Sequence, residues 1–346
     1  NPDGGTASQA NFIQYSGVPV WSTAAGTLGN VLEGGAASFQ VTATEGSDTI
    51  EYAVTTGTLP TGLSLATATG AITGTAPTVS ADTTTTFSIT ATDDENQTSA
   101  SRSFSITVQN DNPSNYFNPV LYTGNWNGSN TNTVNVGFEP DFIWIKRRDG
   151  VDGHHLYDSV RGMGKVLQSN TTGAENQGNH VNTTSTGFTL VTDNINQNGN
   201  LFIAWCWKAG GAASSNTEGT INSDVSVNNT LGFSIVKYTG SSPNQTVGHG
   251  LDATPEFIVV KNMDTTGNGW ATQSPFSGGA DYHMMLNGTQ AAQNNVDWIW
   301  NDVNPTSTVF SIGQNGITNT SGNNYISYCF TSKPGFSKVG SYTGNG

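Results

Sequence analysis

Three short runs in the first 112 residues alternate apolar and polar side chains, at residues 39–43, 87–91 and 104–108. In the last run, for example, Phe104, Ile106 and Val108 take every second position. A period of two places one face of a strand on a core and the other in water. Glycine and proline separate the runs, and no segment shows helical spacing. The pattern predicts an antiparallel sandwich of immunoglobulin size, about 100 residues with about seven strands.

The punctuation between these runs has a recognisable order. Leu59-Pro-Thr-Gly-Leu63-Ser-Leu65 is followed by Thr69-Gly-Ala-Ile72-Thr-Gly74-Thr-Ala-Pro77, and a later strand ends in Ala91-Thr-Asp93. This order resembles the putative-Ig, cadherin-like domains of bacterial and phage surface proteins. The resemblance implies an Ig/cadherin-like domain at residues 15–112, after an N-terminal linker at residues 1–14.

Beyond Pro113 the chain repeats itself, with strand-like blocks returning in the same order. Phe142-Ile-Trp-Ile-Lys146 returns as Phe257-Ile-Val-Val-Lys261, at an offset of 115 residues. The other repeated blocks are Tyr122-Thr-Gly124 with Tyr238-Thr-Gly240 and Tyr342-Thr-Gly344, and Trp205-Cys-Trp207 with Tyr328-Cys-Phe330. We therefore predict one β module at residues 113–215, a second copy at 216–334, and the start of a third, truncated copy at 335–346. We expect the chain to be part of a longer polypeptide.

The first copy also resembles a domain found repeatedly in virion and tail proteins of marine phages. The resemblance is carried by residues 137–147, by His155-Leu-Tyr-Asp158-Ser-Val-Arg161-Gly162, by residues 167–175 and by Ala204-Trp-Cys-Trp-Lys-Ala-Gly-Gly211. It implies a structural role in a virion. The second copy lacks the Asp-Ser-Val-Arg-Gly and Ser-Asn-Thr blocks, so those blocks are not needed in every copy.

Composition narrows the classes of partner. Only 10% of the residues are charged, and the net charge is −14. Residues 1–112 hold ten acidic side chains and one basic one, Arg102. An acidic chain repels phosphate backbones and anionic lipid surfaces, so we expect no nucleic acid and no membrane attachment. No apolar run approaches the roughly 20 residues of a membrane span. Two cysteines do not make a disulfide framework.

Four residues of the types used by hydrolases lie close together in the first copy: His154, His155, Asp158 and Ser159. Catalytic triads are assembled in space and rarely from neighbours in sequence. No glycine-flanked nucleophile of the G-x-S-x-G kind occurs. We favour the alternative that Asp158 and Arg161 form a structural ion pair, with Tyr157 packed beneath it.

Glycoside hydrolysis needs two carboxyl groups about 5–9 Å apart. The first copy is poor in acidic residues, and only Asp141 has a counterpart in the second copy, Glu256. Both stand next to the entrance of a predicted strand. A structural role is therefore favoured, and we predict no catalytic residue and no enzymatic activity.

Calcium is the one ligand for which the sequence offers oxygen-rich runs, since Ca²⁺ takes six to eight oxygen ligands. The candidates are Asp93, Glu95, Asn110, Asp111 and Asn112. The second run resembles the inter-domain linker of cadherins, although the first Asp of that motif is absent. The alternative is an Asx-rich turn that ends the last strand. We expect no other cofactor.

Tryptophan could mark surfaces that contact sugars. In Trp205-Cys206-Trp207 the alternation puts both indoles on one side and the thiol on the other, so we favour a buried strand with an inert cysteine. The better candidates for exposed glycan contacts lie in irregular, Asn-rich stretches: Trp126, Trp270, Trp298 and Trp300.

These observations predict an all-β protein, an immunoglobulin-like sandwich followed by two tandem β-rich modules. We expect a structural component of a phage virion: a tail or head fibre, or a decoration protein. It would be a homo-oligomer at the virion surface, and its partners would be other virion proteins and host surface glycans. The alternative is a secreted or surface carbohydrate-binding protein of a bacterium. A polysaccharide depolymerase is the least favoured of the three.

Overall fold

The computed structural model describes residues 17–44, 49–110, 112–178, 180–192, 194–294, 298–334 and 336–345. The chain forms two compact units, residues 1–111 and 112–346. The strands of the first unit are β1 (Val20–Trp21), β2 (Gly26–Leu32), β3 (Ala36–Gln40), β4 (Ala43–Thr44), β5 (Ile50–Gly57), β6 (Leu63–Leu65), β7 (Ala71–Thr75), β8 (Thr83–Asp93) and β9 (Arg102–Gln109).

The first unit is a β-sandwich. One sheet has the order β2-β9-β8-β5, with β2 parallel to β9, and the other has the order β3-β7-β6. Strands β1 and β4 form a separate pair. The apolar positions of the alternating runs, such as Phe87 and Ile106, are buried in the shared core. The predicted immunoglobulin-like sandwich is therefore confirmed.

The glycines of the Leu-Pro-Thr-Gly motif have a steric reason. Gly62 has a φ of +85° and Gly74 a φ of +139°, conformations that residues with a β-carbon rarely adopt. A β-carbon on Gly62 would collide with the carbonyl oxygen of Thr75. The motif thus lets β6 turn closely onto β7, while Leu63 and Ile72 fill the core.

The second unit divides into a first half (residues 112–213) and a second half (residues 214–345). The first half begins with a 3₁₀ helix at Pro113–Asn115. Its strands are β10 (Phe117–Thr123), β11 (Asn132–Asn135), β12 (Phe142–Arg147), β13 (His154–Asp158), β14 (Lys165–Gln168), β15 (Asn176–Gln177), β16 (Val181–Thr184), β17 (Gly187–Leu190) and β18 (Leu201–Trp207).

Among its described residues, the second half has ten strands and three short helices. The strands are β19 (Ser214–Asn216), β20 (Ser223–Asn228), β21 (Phe233–Thr239), β22 (Gln245–Gly248), β23 (Phe257–Asn262), β24 (Ala271–Gln273), β25 (Tyr282–Met285), β26 (Gln293–Asn294), β27 (Val309–Ile312) and β28 (Asn324–Phe330). The helices are 3₁₀ turns at Pro275–Ser277 and Gly279–Asp281 and one α-helical turn, α1 (Gly316–Asn319). Within the described ranges no helix is long and apolar enough to cross a membrane.

Each half is a sandwich built on one large sheet. In the first half the order is β10-β18-β12-β13-β14-β15, and it faces a three-stranded sheet, β11-β17-β16. In the second half the order from β21 onward is β21-β28-β23-β24-β25-β26, facing β22-β27. Strands β19 and β20 extend the second large sheet beyond β21. The six strands from β10 and the six from β21 therefore stand in the same order.

Side-chain geometry follows the same correspondence. The ring of Tyr122 stacks on Phe202 with centroids 5.1 Å apart at 10°, and Tyr238 stacks on Tyr325 with the same separation and angle. Both tyrosines belong to Tyr-Thr-Gly blocks at the ends of β10 and β21. The tyrosine thus fills the sandwich core at one end of each large sheet.

The two large sheets pack against each other through their outer faces. Phe142 and Trp207 of the first half contact Phe233, Tyr328 and Phe330 of the second. The tightest ring pair is Phe142 on Tyr328, with centroids 4.4 Å apart. The unit therefore has four layers, with the two large sheets in the middle. Aromatic side chains on the outer face of each large sheet point away from the core of their own half and together form the core between the halves.

Candidate functional site

The predicted ion pair lies at the end of β13. Arg161 Nε is 2.5 Å from Asp158 Oδ2, and neither side chain is exposed. The same guanidinium donates to the carbonyl of Leu156 at 3.0 Å and contacts Glu175 at 3.3 Å. Tyr157 is fully buried in the first half's core. The structural interpretation of Asp158 and Arg161 is confirmed.

Asp158 also joins the two halves. The hydroxyl of Tyr328 donates to Asp158 Oδ2 at 2.7 Å in a buried contact. Burial, and then the nearby carboxylate, raise the pKa of Tyr328 well above its ordinary value, so the phenol stays a donor. Burial by itself lowers the pKa of Arg161, but the attraction of Asp158 outweighs it and the pKa is raised. The guanidinium of Arg161 is thus held charged at the interface between the halves.

Further polar contacts come from the loop after β14. Trp270 Nε1 donates to the carbonyl of Gln168 at 3.0 Å. The backbone N–H of Glu175 donates to Met263, and that of Gly267 donates to Thr172. The Asp-Ser-Val-Arg-Gly block therefore contacts the second half through Asp158, and residues flanking the Ser-Asn-Thr block contact it as well.

The remaining hydrolase-type residues have other partners. His154 Nδ1 accepts from Trp144 Nε1 at 3.0 Å, and Ser159 Oγ lies 3.5 Å from the carbonyl oxygen of Gly211. A triad needs serine bonded to histidine and histidine to carboxylate. In this structure Asp158 is engaged by Arg161 instead.

Asp141 and Glu256 do equivalent structural work in the two halves. Asp141 Oδ2 accepts from the backbone N–H of Ala209 at 2.8 Å, and Glu256 Oε2 accepts from that of Ser332 at 2.7 Å. Each carboxylate thereby holds the segment that follows the Trp-Cys-Trp strand or its counterpart. Burial raises the pKa of Asp141, whereas the hydrogen bond from Ser332 lowers that of Glu256. These contacts agree with the favoured structural role.

Both cysteines face a sandwich core. Cys206 and Cys329 are fully buried, unpaired and at matching places in β18 and β28. Burial raises the pKa of the Cys206 thiol, and it raises that of Cys329 to about 12. A protonated, inaccessible thiol is a poor nucleophile. The inward cysteine predicted from the alternation is confirmed.

The tryptophan candidates divide into two pairs. Trp298 is 66% exposed and Trp126 is half-buried, so both reach solvent. Trp270 and Trp300 are 0% and 1% exposed, which corrects the expectation that they form surface contacts. Trp270 lies between the halves, and Trp300 fills the second half's core. Their Asn-rich stretches are irregular, but they wrap over a sandwich and turn their indoles inward.

The first calcium candidates form a local turn at the end of β8. Asp93 is 4% exposed, and its Oδ1 accepts from the backbone N–H of Gln97 at 2.8 Å. Glu95 Oε2 accepts from the side-chain amide of Gln97 at 3.0 Å. Both bonds lie within the turn formed by residues 93–97.

The second calcium run is equally involved in local hydrogen bonds. The backbone N–H of Asn110 donates to Asp82 at 2.9 Å. Asn112 Oδ1 accepts from the backbone N–H of Ser114 at 3.0 Å and caps the first 3₁₀ helix. Asp111 lies outside the described residues.

The two runs do not form one site. Thr83 pairs with Val108, which places Asn110 beside the start of β8, whereas Asp93 is the last residue of that strand. Ten residues of strand separate the two ends by roughly 33 Å. Among the described residues no group of three His, Cys, Asp or Glu side chains is arranged to hold a metal. Calcium binding stays a prediction, which melting with and without EDTA tests.

A polar cleft in the first half has no counterpart in these expectations. Two hollows, of about 310 and 450 Å³, share His155, Gln168 and Asn194. The other polar residues that line them are Asp152, Gln197, Thr171, Asn176, Gln177 and His180. Sequence reasoning noted His155 only among the hydrolase-type residues and missed Gln168 and Asn194. A position-by-position comparison of the two halves is the signal that could have found them.

His155 is the buried group of this cleft. It is 8% exposed, and its Nδ1 is buried with no hydrogen-bond partner. Its Nε2 lies 3.3 Å from the amide nitrogen of Gln168. An amide nitrogen only donates, so Nε2 accepts and the neutral ring carries its proton on Nδ1. Burial, and then His180, lower the pKa of His155 to about 4, so the ring is neutral at pH 7.

Comparison with protein families gives two matches. The family model of a domain of unknown function, DUF7483, matches residues 112–346, which is both halves together. The family model of the putative Ig domain matches residues 20–109. No curated protein matches the chain.

Proposed function

We propose that this chain, which belongs to the DUF7483 family and carries an immunoglobulin-like domain before it, is a non-enzymatic structural component of a phage virion. It acts as a tail or head fibre or a decoration protein at the particle surface. It binds other virion proteins, oligomerises with its own kind, and contacts the host surface. Within this proposal, residues 112–334 are two copies of one module.

The observation that supports the proposal is the burial of the first half's charged side chains of the kind that enzymes use in catalysis. Asp158 and Arg161 are fully buried, and Asp158 binds Tyr328 of the second half. Groups that an enzyme would present to a substrate are here part of an interface between two sandwiches. A rigid, multilayered β unit with free cysteines and no required disulfide suits a stiff appendage.

The duplication is supported by the shared strand order and by the matched tyrosine stacks. The virion assignment rests on the resemblance of residues 137–211 to a domain of marine-phage virion and tail proteins. Its acidic, charge-poor composition fits a surface that avoids nucleic acid.

Immunogold labelling of purified phage particles tests this function. Antibodies raised against residues 112–346 are expected to decorate intact particles at a regular position, and antibodies depleted on the purified chain serve as the control. Unlabelled particles, with the chain recovered instead from a bacterial envelope or culture medium, would favour the alternative of a bacterial carbohydrate-binding protein.

A further inference from the structure

We propose that the cleft around His155, Gln168 and Asn194 is a binding site for a neutral carbohydrate. The inference deepens the proposed contact with a host surface and rests on that function for its biological meaning. The binding itself is a property of the purified chain. The sugar is thus proposed to bind in this cleft and not at Trp270 or Trp300, which were predicted as glycan contacts but are buried.

The first argument is a comparison of equivalent strand positions. His155 of β13 pairs with Gln168 of β14, and Ala271 of β24 pairs with Met285 of β25. His155 and Ala271 correspond because each stands opposite the residue that precedes the lysine of the repeated Phe-Ile-x-x-Lys block. The pair His155 and Gln168 is therefore replaced by an apolar pair in the second half.

The third residue of the cleft, Asn194, also has an apolar counterpart in the second half. The two stacked tyrosines donate their hydroxyls to the carbonyl oxygens of Ile195, at 2.7 Å, and Thr318, at 2.8 Å. The residue before each acceptor is Asn194 in the first half and Ile317 in the second. Asn194 lines the cleft, whereas Ile317 packs against the second half's core.

The fold therefore does not require polar side chains at these three places. Ala271 belongs to the second half's core, and Met285 and Ile317 pack against that core. A buried imidazole with an unpartnered N–H costs free energy unless something accepts from it. His155 carries that cost in one half only, next to open volume. The ring of His155 lines both hollows, so a ligand bound in them meets an imidazole that the second half lacks.

The side chains that line the cleft indicate which class of ligand it binds. Amide side chains both donate and accept, which matches hydroxyl groups that do the same. The one carboxylate, Asp152, already pairs with Arg147 at 3.2 Å, and His155 is a neutral ring. Besides Asp152 and the two imidazoles, the polar lining consists of amide and hydroxyl side chains, which favours a neutral hydroxylated ligand over an ion. Volumes of about 310 and 450 Å³ fall in the range of small-ligand sites, about 300–1,000 Å³.

Saturation-transfer NMR on the full chain tests the site, with glucose, galactose, mannose and N-acetylglucosamine as probes at millimolar concentration. At least one sugar is expected to bind, and to shift the ¹⁵N resonances of the His155 ring. His155→Ala and Gln168→Met are each expected to weaken binding about tenfold, the effect of one lost hydrogen bond. Each introduces the residue that the second half already has there, so both variants are expected to fold.

Trp298→Ala is the matched control, because Trp298 is the exposed indole outside this cleft. It is expected to leave the affinity unchanged. Loss of binding in Trp298→Ala with full binding in His155→Ala would overturn the proposal, as would the absence of binding by all four sugars to the folded chain. Unlabelled virions with intact sugar binding would reject the virion role alone, and labelled virions without sugar binding would reject the cleft alone.

Discussion

The two halves of the second unit use one strand order for different purposes. At three corresponding places the first half has His155, Gln168 and Asn194, and the second half has alanine, methionine and isoleucine. The second half closes its core there, and the first half leaves a polar hollow. The second half keeps the same strand order with apolar residues at these places, so the fold does not need the three polar residues of the first half.

The same comparison holds at the interface between the halves. In the first half β13 ends at Asp158, which binds Arg161 and Tyr328. In the second half β24 ends at Gln273, and Ser274 caps a 3₁₀ helix instead. One sandwich therefore carries the buried charge pair and the other carries the phenol that meets it, so the unit is asymmetric although its strands are alike.

The largest effect is expected from breaking the buried pair. Asp158→Asn removes the closer charge partner of the buried Arg161 and leaves it with Glu175 at 3.3 Å, which is expected to cost about 3–5 kcal/mol of unfolding free energy. Asp224→Asn is the control, because Asp224 meets Lys237 only at 3.9 Å on the surface and the loss is about 0.5 kcal/mol. Urea unfolding of both variants measures the difference, and equal losses would contradict the structural role of Asp158.

The next effect concerns pH. His155 has a pKa of about 4 when folded and 6.5 when unfolded, so between these values the unfolded chain takes up a proton that the folded chain does not. Stability from this group is complete above pH 6.5 and falls by about 3 kcal/mol as the pH drops to 4. The wild type is therefore expected to lose that much more than His155→Ala over this window. Parallel curves of unfolding free energy against pH would contradict the burial of a neutral ring.

A smaller effect tests the equivalence of the Tyr-Thr-Gly blocks. A β-carbon on Gly124 would collide with the carbonyl oxygen of Gln197, and one on Gly240 with that of Thr320. Each Gly→Ala change is expected to cost about 2 kcal/mol. Gly344→Ala is the control, because nothing lies within 4 Å of its added carbon. Melting temperatures that fall for only one of the first two variants would break the comparison.

The smallest effect is expected at Ser159. Its hydroxyl hydrogen-bonds the carboxylate of Asp141 and lies 3.5 Å from the carbonyl oxygen of Gly211. Ser159→Ala is therefore expected to lower the unfolding free energy by about 1 kcal/mol, the contribution of one hydrogen bond. A loss several times larger in urea unfolding would mean that this hydroxyl has a stronger partner than the structure assigns.

The sequence was informative where the constraint is local. Alternation located Ile89 and Ile106 in the first core and turned Cys206 inward, because a strand's period depends on the strand alone. The short spacing of Asp158 and Arg161 likewise predicted their ion pair.

Other features depend on residues far apart in the chain. Trp270 donates a hydrogen bond to Gln168, 102 residues away, and Asp158 accepts one from Tyr328 across 170 residues. No periodicity reports such contacts, so the packing of one sheet on the other was not foreseen. The sequence does not indicate the cleft for the same reason, since Asn194 and His155 lie in one lining only in the folded sandwich.

The central claim is that Asp158 of the first half joins the two halves through its hydrogen bond with Tyr328. A double-mutant cycle on Asp158→Asn and Tyr328→Phe tests this claim most directly. The hydrogen bond of 2.7 Å between these side chains is buried, so the two changes are expected to be coupled by about 1–3 kcal/mol in urea unfolding. Losses that simply add would contradict the account, because the two halves would then not be joined through Asp158.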